Sequence, residues 1–300
     1  GHGILAEVPA ETWRARIKET FFIDGPPPEL APQTHRQFNP SAGVRAEAVT
    51  YGTQFGMRIP AIVYLPEARR ADAPGAPALI IVNGHGGDKF SWYAFYTGIL
   101  YARAGAVVLT YDPTGEGERN SKRMSGTRAH DAIKGDSMLA RKQAGLMLTD
   151  LMQAVSYLAS RPEVDAARIG ACGYSMGSFV VALAGAIEPR LRCCIEVGGG
   201  NLDGPGEYWD NSKPMCQGLP YQALHFLGDR AAAIYALHAR RGPTLIFNGR
   251  EDSVVNMPAT QEAFFNGLRQ RTAALAGEDG GLFDFELVDG VSHRPFFVTR

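Results

Sequence analysis

Residues 168–184 read RIGACGYSMGSFVVALA: an apolar run, a serine between glycines, and a second apolar run. The first run suits a short buried strand, and the second suits a helix packed on a sheet. The serine, Ser175, is the centre of a Gly-x-Ser-x-Gly motif. A strand that turns sharply into a helix leaves no space for side chains beside the turn, which explains both glycines. The stretch therefore predicts a tight strand-to-helix turn with the hydroxyl of Ser175 exposed.

The rest of the chain alternates between predicted strands and helices. Residues 44–51 and 58–65 alternate apolar and polar side chains, which predicts an antiparallel hairpin. Further strands, most of them apolar runs typical of strands buried on both faces, are predicted at 78–82, 106–111, 193–197, 244–248 and 283–288. Helices are predicted at 92–104 and 137–160. This order predicts an α/β fold, with a mostly parallel central sheet, helices on both faces and an antiparallel N-terminal hairpin.

The first 43 residues stand apart from this alternation. Within residues 1–43, one helix is predicted at 9–20, and a proline-rich stretch follows at 26–40. Prolines favour an extended chain, so we expect this stretch to lie over the domain surface as an arm or cap. The α/β domain, which carries the motifs described below, is expected to span residues 44–300.

Residues 200–240 separate two core strands by more than a usual crossover connection. The segment is aromatic and apolar, and it includes the pair Tyr208 and Trp209. An aromatic cluster near the ends of strands suits a pocket that shields an apolar group from water. We interpret the segment as an insertion that forms a lid or pocket wall, and capping of the core is an equal alternative.

Composition and charge exclude several classes of protein. Hydrophobic residues make up 45% of the 300 residues and charged residues 20%, as in an ordinary globular domain. The formal net charge of −1 offers no attraction to nucleic acid or to an anionic membrane, and no apolar run is long enough to span a bilayer. We therefore expect a small-molecule ligand rather than a nucleic acid or a membrane, and a homo-oligomer stays open.

The amino-terminal 22 residues contain no apolar run of the signal-peptide type. We expect either a cytoplasmic protein or a secreted or periplasmic one whose leader has been removed. The four cysteines do not decide between these, because buried free thiols account for them and a disulfide to Cys216 stays open. No Cys-x-x-Cys pair is present and the histidines lack metal-ligand spacing, so we expect no metal site and no cofactor.

A histidine and an aspartate follow later strands in an order that could activate Ser175. A serine hydroxyl becomes a nucleophile when a base removes its proton and a third group holds the base. His293 follows the last predicted strand and is the expected base, while Asp252 follows the strand before it and is the expected acid. The carboxyl ends of parallel strands meet at one edge of a sheet, so the three residues can converge there. Glu251 is the nearest rival for the acid, and Asp203 is a more distant one.

A developing oxyanion needs hydrogen-bond donors that are already in place. The amide of Met176, next to Ser175 at the predicted helix start, is one expected donor. The second is expected from residues 83–87, which read NGHGG after a buried strand and allow close approach of the backbone. A glycine-rich loop can instead cradle a phosphate, but no Lys-Ser or Lys-Thr follows here as in a P-loop.

Four segments together resemble the α/β-hydrolase superfamily, and more narrowly its dienelactone hydrolase and acetyl xylan esterase-like branch. They are residues 84–87, reading GHGG; residues 111–119, reading YDPTGEGER; the Ser175 turn; and the loops of Asp252 and His293. The resemblance implies an α/β-hydrolase fold in which the serine turn is the nucleophile elbow. It also assigns the second oxyanion amide to Gly87 and places residues 111–119 beside the site.

Further expectations concern the surroundings of the site. Asp112 and Arg119 are expected to stabilise their loop through an ion pair rather than to do chemistry. The elbow carries Met176 where sugar deacetylases commonly have glutamine. The α/β-hydrolases that the chain resembles usually end with a helix after the catalytic histidine. This chain stops seven residues past His293, so we expect a truncated carboxyl terminus. The substrate pocket is expected to be lined by His85, Gly86, Trp92, Tyr208 and Trp209.

A serine, a base and an acid in this order predict a serine carboxylic-ester hydrolase that acts on a small-molecule ester through an acyl-enzyme intermediate. Two other enzyme classes stay open because the same triad supports them: a serine peptidase or amidase of the prolyl-peptidase type, and a carbon–carbon bond hydrolase. A hydrolase-like scaffold used only for binding is less favoured, since none of the three positions is missing.

Overall fold

The computed structural model describes residues 8–67, 74–120, 133, 135–203, 215–255, 261–277 and 282–295. Within these residues the chain forms one nine-stranded sheet with helices packed on both faces. The strands are β1 Gln33–Ser41, β2 Val44–Gly52, β3 Arg58–Pro66, β4 Ala76–Val82, β5 Val107–Tyr111, β6 Val164–Tyr174, β7 Leu191–Val197, β8 Thr244–Gly249 and β9 Phe283–Val288. The helices are α1 Ala10–Thr20, α2 Trp92–Arg103, α3 Ser137–Ala159, α4 Met176–Ile187, α5 Met215–Gln222, α6 Arg230–Ala239 and α7 Gln261–Ala276.

The strand order across the sheet is β1-β2-β3-β5-β4-β6-β7-β8-β9. Strands β1, β2, β3 and β5 pair in antiparallel fashion, whereas β5, β4 and β6 to β9 run parallel to one another. This confirms the predicted fold class, including the β2–β3 hairpin. The chain winds from β4 to β5 on one side and then crosses to β6 on the other. Ligand crevices open at such a switch point, at the carboxyl ends of the strands.

The amino-terminal segment contributes a strand that the sequence analysis missed. Gln33–Ser41, within the predicted arm, forms β1 and pairs with β2. Most of β1 is exposed because it is an edge of the sheet, and an edge strand tolerates Pro40, whose missing N–H would interrupt an interior strand. An exposed strand of polar residues lacks the apolar alternation that identifies a half-buried strand. The composition of this segment therefore favoured an arm.

Helix α1 is fixed to the core by a buried arginine. The guanidinium of Arg14 donates to the backbone carbonyls of Ala186, at 3.1 Å, and Leu237, at 3.0 Å. These carbonyls lie in the last turns of α4 and α6, where no intrahelical donor remains, so the arginine completes two helix ends. Trp13 and Ile17 on the same helix join the main apolar cluster.

Part of the predicted 200–240 insertion belongs to the core. Helix α6 is buried along its whole length and packs on α4, because its small alanine side chains allow the two helices to approach closely. This part is a crossover helix and not a lid. Helix α5 precedes it, and Tyr208 and Trp209 lie outside the described residues.

Candidate active site

Ser175 occupies the turn between β6 and α4, as predicted. Its φ of +54° is one that residues other than glycine seldom adopt, and such strain persists only where the surroundings enforce it. A Cβ on Gly173 would come 2.3 Å from the carbonyl oxygen of Gly177, and a Cβ on Gly177 would come 2.1 Å from that of Val82. No side chain fits at either position, so the motif's glycines are required by contact.

Ser178, in the first turn of α4, fastens the elbow to the neighbouring strand. Its buried hydroxyl lies 2.9 Å from the carbonyl oxygen of Gly173 and 3.1 Å from that of Val197. It also accepts the Val197 amide at 3.1 Å, and the amide of Ser175 donates to the Val197 carbonyl at 2.9 Å. The sequence analysis assigned Ser178 no role, although a serine directly after the second glycine was a usable signal.

The structure brings Ser175, His293 and Asp252 into contact in series. The Nε2 atom of His293 lies 2.9 Å from the hydroxyl oxygen of Ser175, and its Nδ1 atom lies 2.8 Å from Oδ2 of Asp252. Oδ1 of Asp252 accepts the amides of Val254 and Val255, each at 3.0 Å. Both carboxylate oxygens are therefore engaged, which fixes the orientation of the carboxylate against the imidazole.

The two rival acids lie elsewhere. Glu251 is exposed, and Asp203 accepts a hydrogen bond from Nε of Arg230 at 2.6 Å. The side chain of Asp252 is completely buried, whereas that of His293 is 18% exposed. This arrangement shields the acid from water and leaves the base within reach of a substrate.

The loops that carry Asp252 and His293 are bound to each other through the backbone. The amide of Glu251 donates to the carbonyl of Val291 at 3.1 Å. A Cβ on Gly249 would come 2.0 Å from that same carbonyl oxygen. Glycine is therefore required where the two loops cross, and the crossing brings acid and base together.

The glycine-rich loop at 84–87 lies against the elbow, and it carries one of the two amides expected to hold the oxyanion. A Cβ on Gly84 would come 3.1 Å from the Cβ of Ser175. The amide of Gly87, expected to be free for an oxyanion, donates to the carbonyl of Gly84 at 2.9 Å and closes a tight turn. Met176 is the first residue of α4, so its amide has no acceptor within the helix. Of the two amides expected to hold the oxyanion, that of Gly87 is thus already hydrogen-bonded within its own loop, whereas that of Met176 is not bonded within its helix.

Charged residues bind the glycine-rich loop to the loop after β5. The ammonium of Lys89 lies 2.6 Å from Oδ2 of Asp112 and 2.6 Å from Oε1 of Glu118. The amide of Lys89 donates to Oδ1 of Asp112 at 3.0 Å. The amide of Gly86 donates to the buried Glu116 carboxylate at 2.9 Å. Burial raises the pKa of Asp112, and the Lys89 cation opposes that shift.

The predicted ion pair between Asp112 and Arg119 is wrong. Asp112 pairs with Lys89, whereas the guanidinium of Arg119 pairs with Asp150 on α3 and donates to the backbone carbonyl of Asp112 at 3.3 Å. Closeness in sequence favoured a pair within one loop. The residues of the loop contain no pattern that indicates a partner on a distant helix, so the pairing of Arg119 with Asp150 could not be predicted from the loop.

The predicted pocket residues are placed in part. Nε2 of His85 lies 3.6 Å from Sγ of Cys216, so the first turn of α5 contacts the glycine-rich loop. Trp92 begins α2 and is 54% exposed. Gly86 has a φ of +76°, a conformation that favours glycine. All four cysteines are free thiols, so Cys216 forms no disulfide.

Among the described residues, no group of three or more histidine, cysteine, aspartate or glutamate side chains is placed to hold a metal ion. The helices of this part of the chain include none with both the length and the apolar composition of a membrane span. The side chains gathered at Ser175 are those of nucleophilic and acid–base chemistry.

Comparison with known proteins assigns the chain to a family. The model of the prolyl oligopeptidase family matches residues 89–277, more than half of the chain. The chain belongs to this family. The match includes Ser175 and Asp252, and His293 follows after its end. The family shares its name with the peptidase class that the sequence analysis ranked second.

Individual relatives are distant. An uncharacterized Pseudomonas aeruginosa protein, PA2218, is 26% identical over 167 residues, which cover 56% of this chain and 40% of that protein. The chain spans less than half the length of the first curated relatives it matches.

Solved structures show the same fold. Acetyl xylan esterase 1 from Thermoanaerobacterium sp. has a TM-score of 0.61 and 19% identity, over 95% of this chain and 88% of that one. Methylesterase BT1017 has a TM-score of 0.66 and 23% identity, over 95% of this chain and 59% of that one. At these identities the likeness establishes the fold alone, and it confirms the predicted α/β-hydrolase fold. This member of the prolyl oligopeptidase family thus has the α/β-hydrolase fold.

Proposed function

We propose that this protein is a serine carboxylic-ester hydrolase acting on small-molecule esters. The observation that carries the proposal is the unbroken series of contacts from Ser175 through His293 to Asp252, at 2.9 and 2.8 Å. At such distances a base can take the proton of a hydroxyl, and a carboxylate can orient that base.

The first half of the proposed reaction forms an acyl-enzyme. Oγ of Ser175 attacks the ester carbonyl carbon while Nε2 of His293 takes the hydroxyl proton. The imidazole must then carry its own proton on Nδ1, which donates to Asp252 and so selects the tautomer with Nε2 free. When the bond to the alcohol oxygen breaks, His293 returns the proton to the departing alcohol. The acyl group remains bound to Ser175 as an ester.

The second half releases the acid. A water molecule takes the place of the alcohol, and Nε2 of His293 removes one of its protons as it attacks the acyl carbon. The bond to Oγ of Ser175 then breaks, and His293 gives the proton back to that oxygen. The products are the carboxylic acid and the restored enzyme.

Both tetrahedral intermediates carry an oxyanion that needs donors. The amide of Met176 lies at the positive end of α4 and is the proposed first donor. We assign the second to the loop at 84–87, which contacts the elbow. The amide of Gly87 can serve only if its bond to Gly84 opens, so substrate binding would have to rearrange this turn.

A peptidase or amidase is the second candidate, and membership of the prolyl oligopeptidase family favours it. The same residues can hydrolyse an amide, because His293 can protonate a leaving amine as it does an alcohol. Paired chromogenic substrates separate the classes: p-nitrophenyl acetate for the esterase and an aminoacyl p-nitroanilide for the peptidase. Turnover of the ester with none of the anilide supports our proposal, and turnover of the anilide identifies a peptidase.

The Ser175→Ala variant tests the nucleophile directly. Removing Oγ leaves nothing to be acylated, so we expect kcat/KM for p-nitrophenyl acetate to fall by about 1,000-fold or more. Ser137→Ala, at an exposed serine that begins α3, is the matched control and should keep full activity. Substantial activity in Ser175→Ala contradicts the proposal.

A fluorophosphonate probe gives a second readout that does not depend on the substrate. It should label the wild type and Ser137→Ala, with the adduct on Ser175, and leave Ser175→Ala unlabelled. An unlabelled wild type would favour a scaffold without catalysis.

A further inference from the structure

Tyr174 and Tyr93 lie in contact between the elbow, the histidine loop and the glycine-rich loop. Tyr174 directly precedes Ser175, and Tyr93 lies in the first turn of α2. Their ring centroids are 5.3 Å apart at an interplanar angle of 68°, an edge-to-face contact of a favourable kind. The two rings therefore link parts of the site that come from three separate loops.

Tyr174 contacts His293 in two ways. The two ring centroids are 5.2 Å apart with a tilt of 33°, and the phenol hydroxyl donates to the backbone carbonyl of His293 at 3.3 Å. The ring contact acts on the imidazole and the hydrogen bond acts on the main chain. At 3.3 Å the hydrogen bond is long, so the hydroxyl should contribute less than the ring.

Tyr93 makes the corresponding contact with the glycine-rich loop. Its hydroxyl accepts the amide of Gly84 at 3.3 Å. A Cβ on Gly87 would come 2.9 Å from that hydroxyl, so the glycine leaves room for it. Tyr93 is 5% exposed and burial raises the pKa of its phenol, so the hydroxyl stays neutral where it accepts this bond.

His293 needs such support more than Ser175 does. Sterics enforce the position of Ser175, but His293 lies in an irregular segment after β9. Catalytic groups must be held within about 0.5 Å of their working geometry, and a misplacement of about 1 Å can reduce the rate by about 100-fold.

We propose that Tyr174 is a positioning residue. It holds His293 against Ser175 and, through its contact with Tyr93, keeps the glycine-rich loop in place beside both residues. This inference rests on the proposed function, since it gives Tyr174 a share in the turnover of an ester. Tyr174 acts through His293 and not on the reacting atoms. Its removal should therefore lower kcat and leave KM nearly unchanged.

Tyr174→Phe tests the hydroxyl, because phenylalanine keeps the ring. We expect kcat on p-nitrophenyl acetate to fall about five- to tenfold, with KM within about twofold and the melting temperature within about 2 °C of the wild type. The matched control is Tyr96→Phe, at an exposed tyrosine on the same helix as Tyr93, and it should change neither constant.

Two further variants test the ring and the link. Tyr174→Leu removes ring and hydroxyl together, and we expect kcat to fall about 50-fold. Tyr93→Phe removes the hydroxyl that accepts the amide of Gly84. Combining it with Tyr174→Phe tests the connection between the two tyrosines. If the tyrosines act as one unit, the combined loss of kcat is smaller than the product of the single losses. A combined loss equal to that product would overturn the link through Tyr93.

Titration with a fluorophosphonate separates positioning from folding. The proposal predicts that Tyr174→Phe keeps the same fraction of labelled protein and is labelled more slowly. Wild-type kcat in both Tyr174→Phe and Tyr174→Leu overturns it, as does a reduced labelled fraction with unchanged kcat per labelled site. A raised KM with unchanged kcat would show contact with substrate and also overturns it. Failure of the proposed function has a different signature: Ser175→Ala would be as active as the wild type.

Discussion

The elbow and the glycine-rich loop lie side by side at one edge of the sheet, yet different forces hold them. Hard contacts enforce the elbow, since no side chain fits at Gly173 or Gly177. A buried ion pair between Lys89 and Asp112 holds the loop. Steric contacts do not depend on pH, whereas an ion pair does. Ser175 is thus held by excluded volume at the two glycines of its motif, while the neighbouring loop depends on a pair of opposite charges.

Breaking the steric side should have the largest effect. In Gly177→Ala the new Cβ would stand 2.1 Å from the carbonyl oxygen of Val82, so the backbone of β4 or α4 must move. We expect the free energy of unfolding to fall by about 4 kcal/mol or more, with loss of the proposed esterase activity. Urea unfolding followed by circular dichroism measures the change.

The control for this variant is Gly267→Ala in α7, where a Cβ meets only the end of the Arg271 side chain, at 3.3 Å. Alanine favours a helix over glycine, so this change should stabilise the protein by up to about 1 kcal/mol. Wild-type stability in Gly177→Ala would refute the claim that sterics enforce the elbow.

Breaking the ionic side should cost somewhat less and should depend on pH. Lys89→Met leaves the carboxylate of Asp112 buried without its cation, which we expect to cost about 3 kcal/mol at neutral pH. Burial already raises the pKa of Asp112, and losing the cation raises it further. An acid with a raised pKa in the folded state favours folding when it is protonated. The deficit should therefore shrink as the pH falls from 7.

Melting temperatures across a pH series measure this effect. Lys142→Met, at an exposed lysine of α3, is the control and should change the free energy of unfolding by less than about 0.5 kcal/mol. The double variant Lys89→Met/Asp112→Asn removes both charges and should recover part of the loss. A deficit that is equal at every pH would argue against the unpaired carboxylate as its cause.

The smallest expected effect concerns Glu196, a buried acid on β7, the strand that pairs with β6 beside the elbow. Its burial keeps it neutral. Oε2 of Glu196 on β7 accepts the hydroxyl of Tyr235 at 2.8 Å, and burial raises the pKa of Glu196 to about 8. The unfolded chain loses this proton near the ordinary carboxyl pKa, so stability falls as the pH rises toward 8. Glu196→Gln cannot titrate. Between pH 6 and pH 8 it should lose about 2 kcal/mol less stability than the wild type.

Chemical unfolding at both pH values measures the difference. Glu251→Gln removes an exposed carboxyl and should reproduce the wild-type pH dependence. Identical pH dependence in Glu196→Gln and the wild type would show that this carboxyl is not held neutral in the folded protein.

Much of the fold was predictable because its elements leave local patterns. Continuous apolar runs identified the parallel strands, and alternation identified the β2–β3 hairpin. Strand β1 escaped because an exposed edge buries too little to leave a pattern, and Pro40 argued against a strand. Helix α6 was taken for part of an insertion, although its burial shows that it completes the core.

The site was predictable where chain order and strand ends determine it. Ser175, Asp252 and His293 were chosen because each follows a predicted strand, and the structure brings them together. Their catalytic roles stay a prediction. The partner of Arg119 was wrong, and the amide of Gly87 proved to be engaged.

The sequence by itself indicated the elbow, because the glycines at 173 and 177 record its excluded volume: a side chain at 173 would clash with Gly177, and one at 177 with Val82 on β4. Only the tertiary structure decided which charge pairs with which, which amide stays free, and that the ring of Tyr174 rests on His293. The ion pair of Lys89 with Asp112 joins residues 23 positions apart, and the contact of Tyr174 with His293 joins residues 119 positions apart. Several partners were chemically equivalent in the sequence, and only the packing of the sheet and its loops selects one.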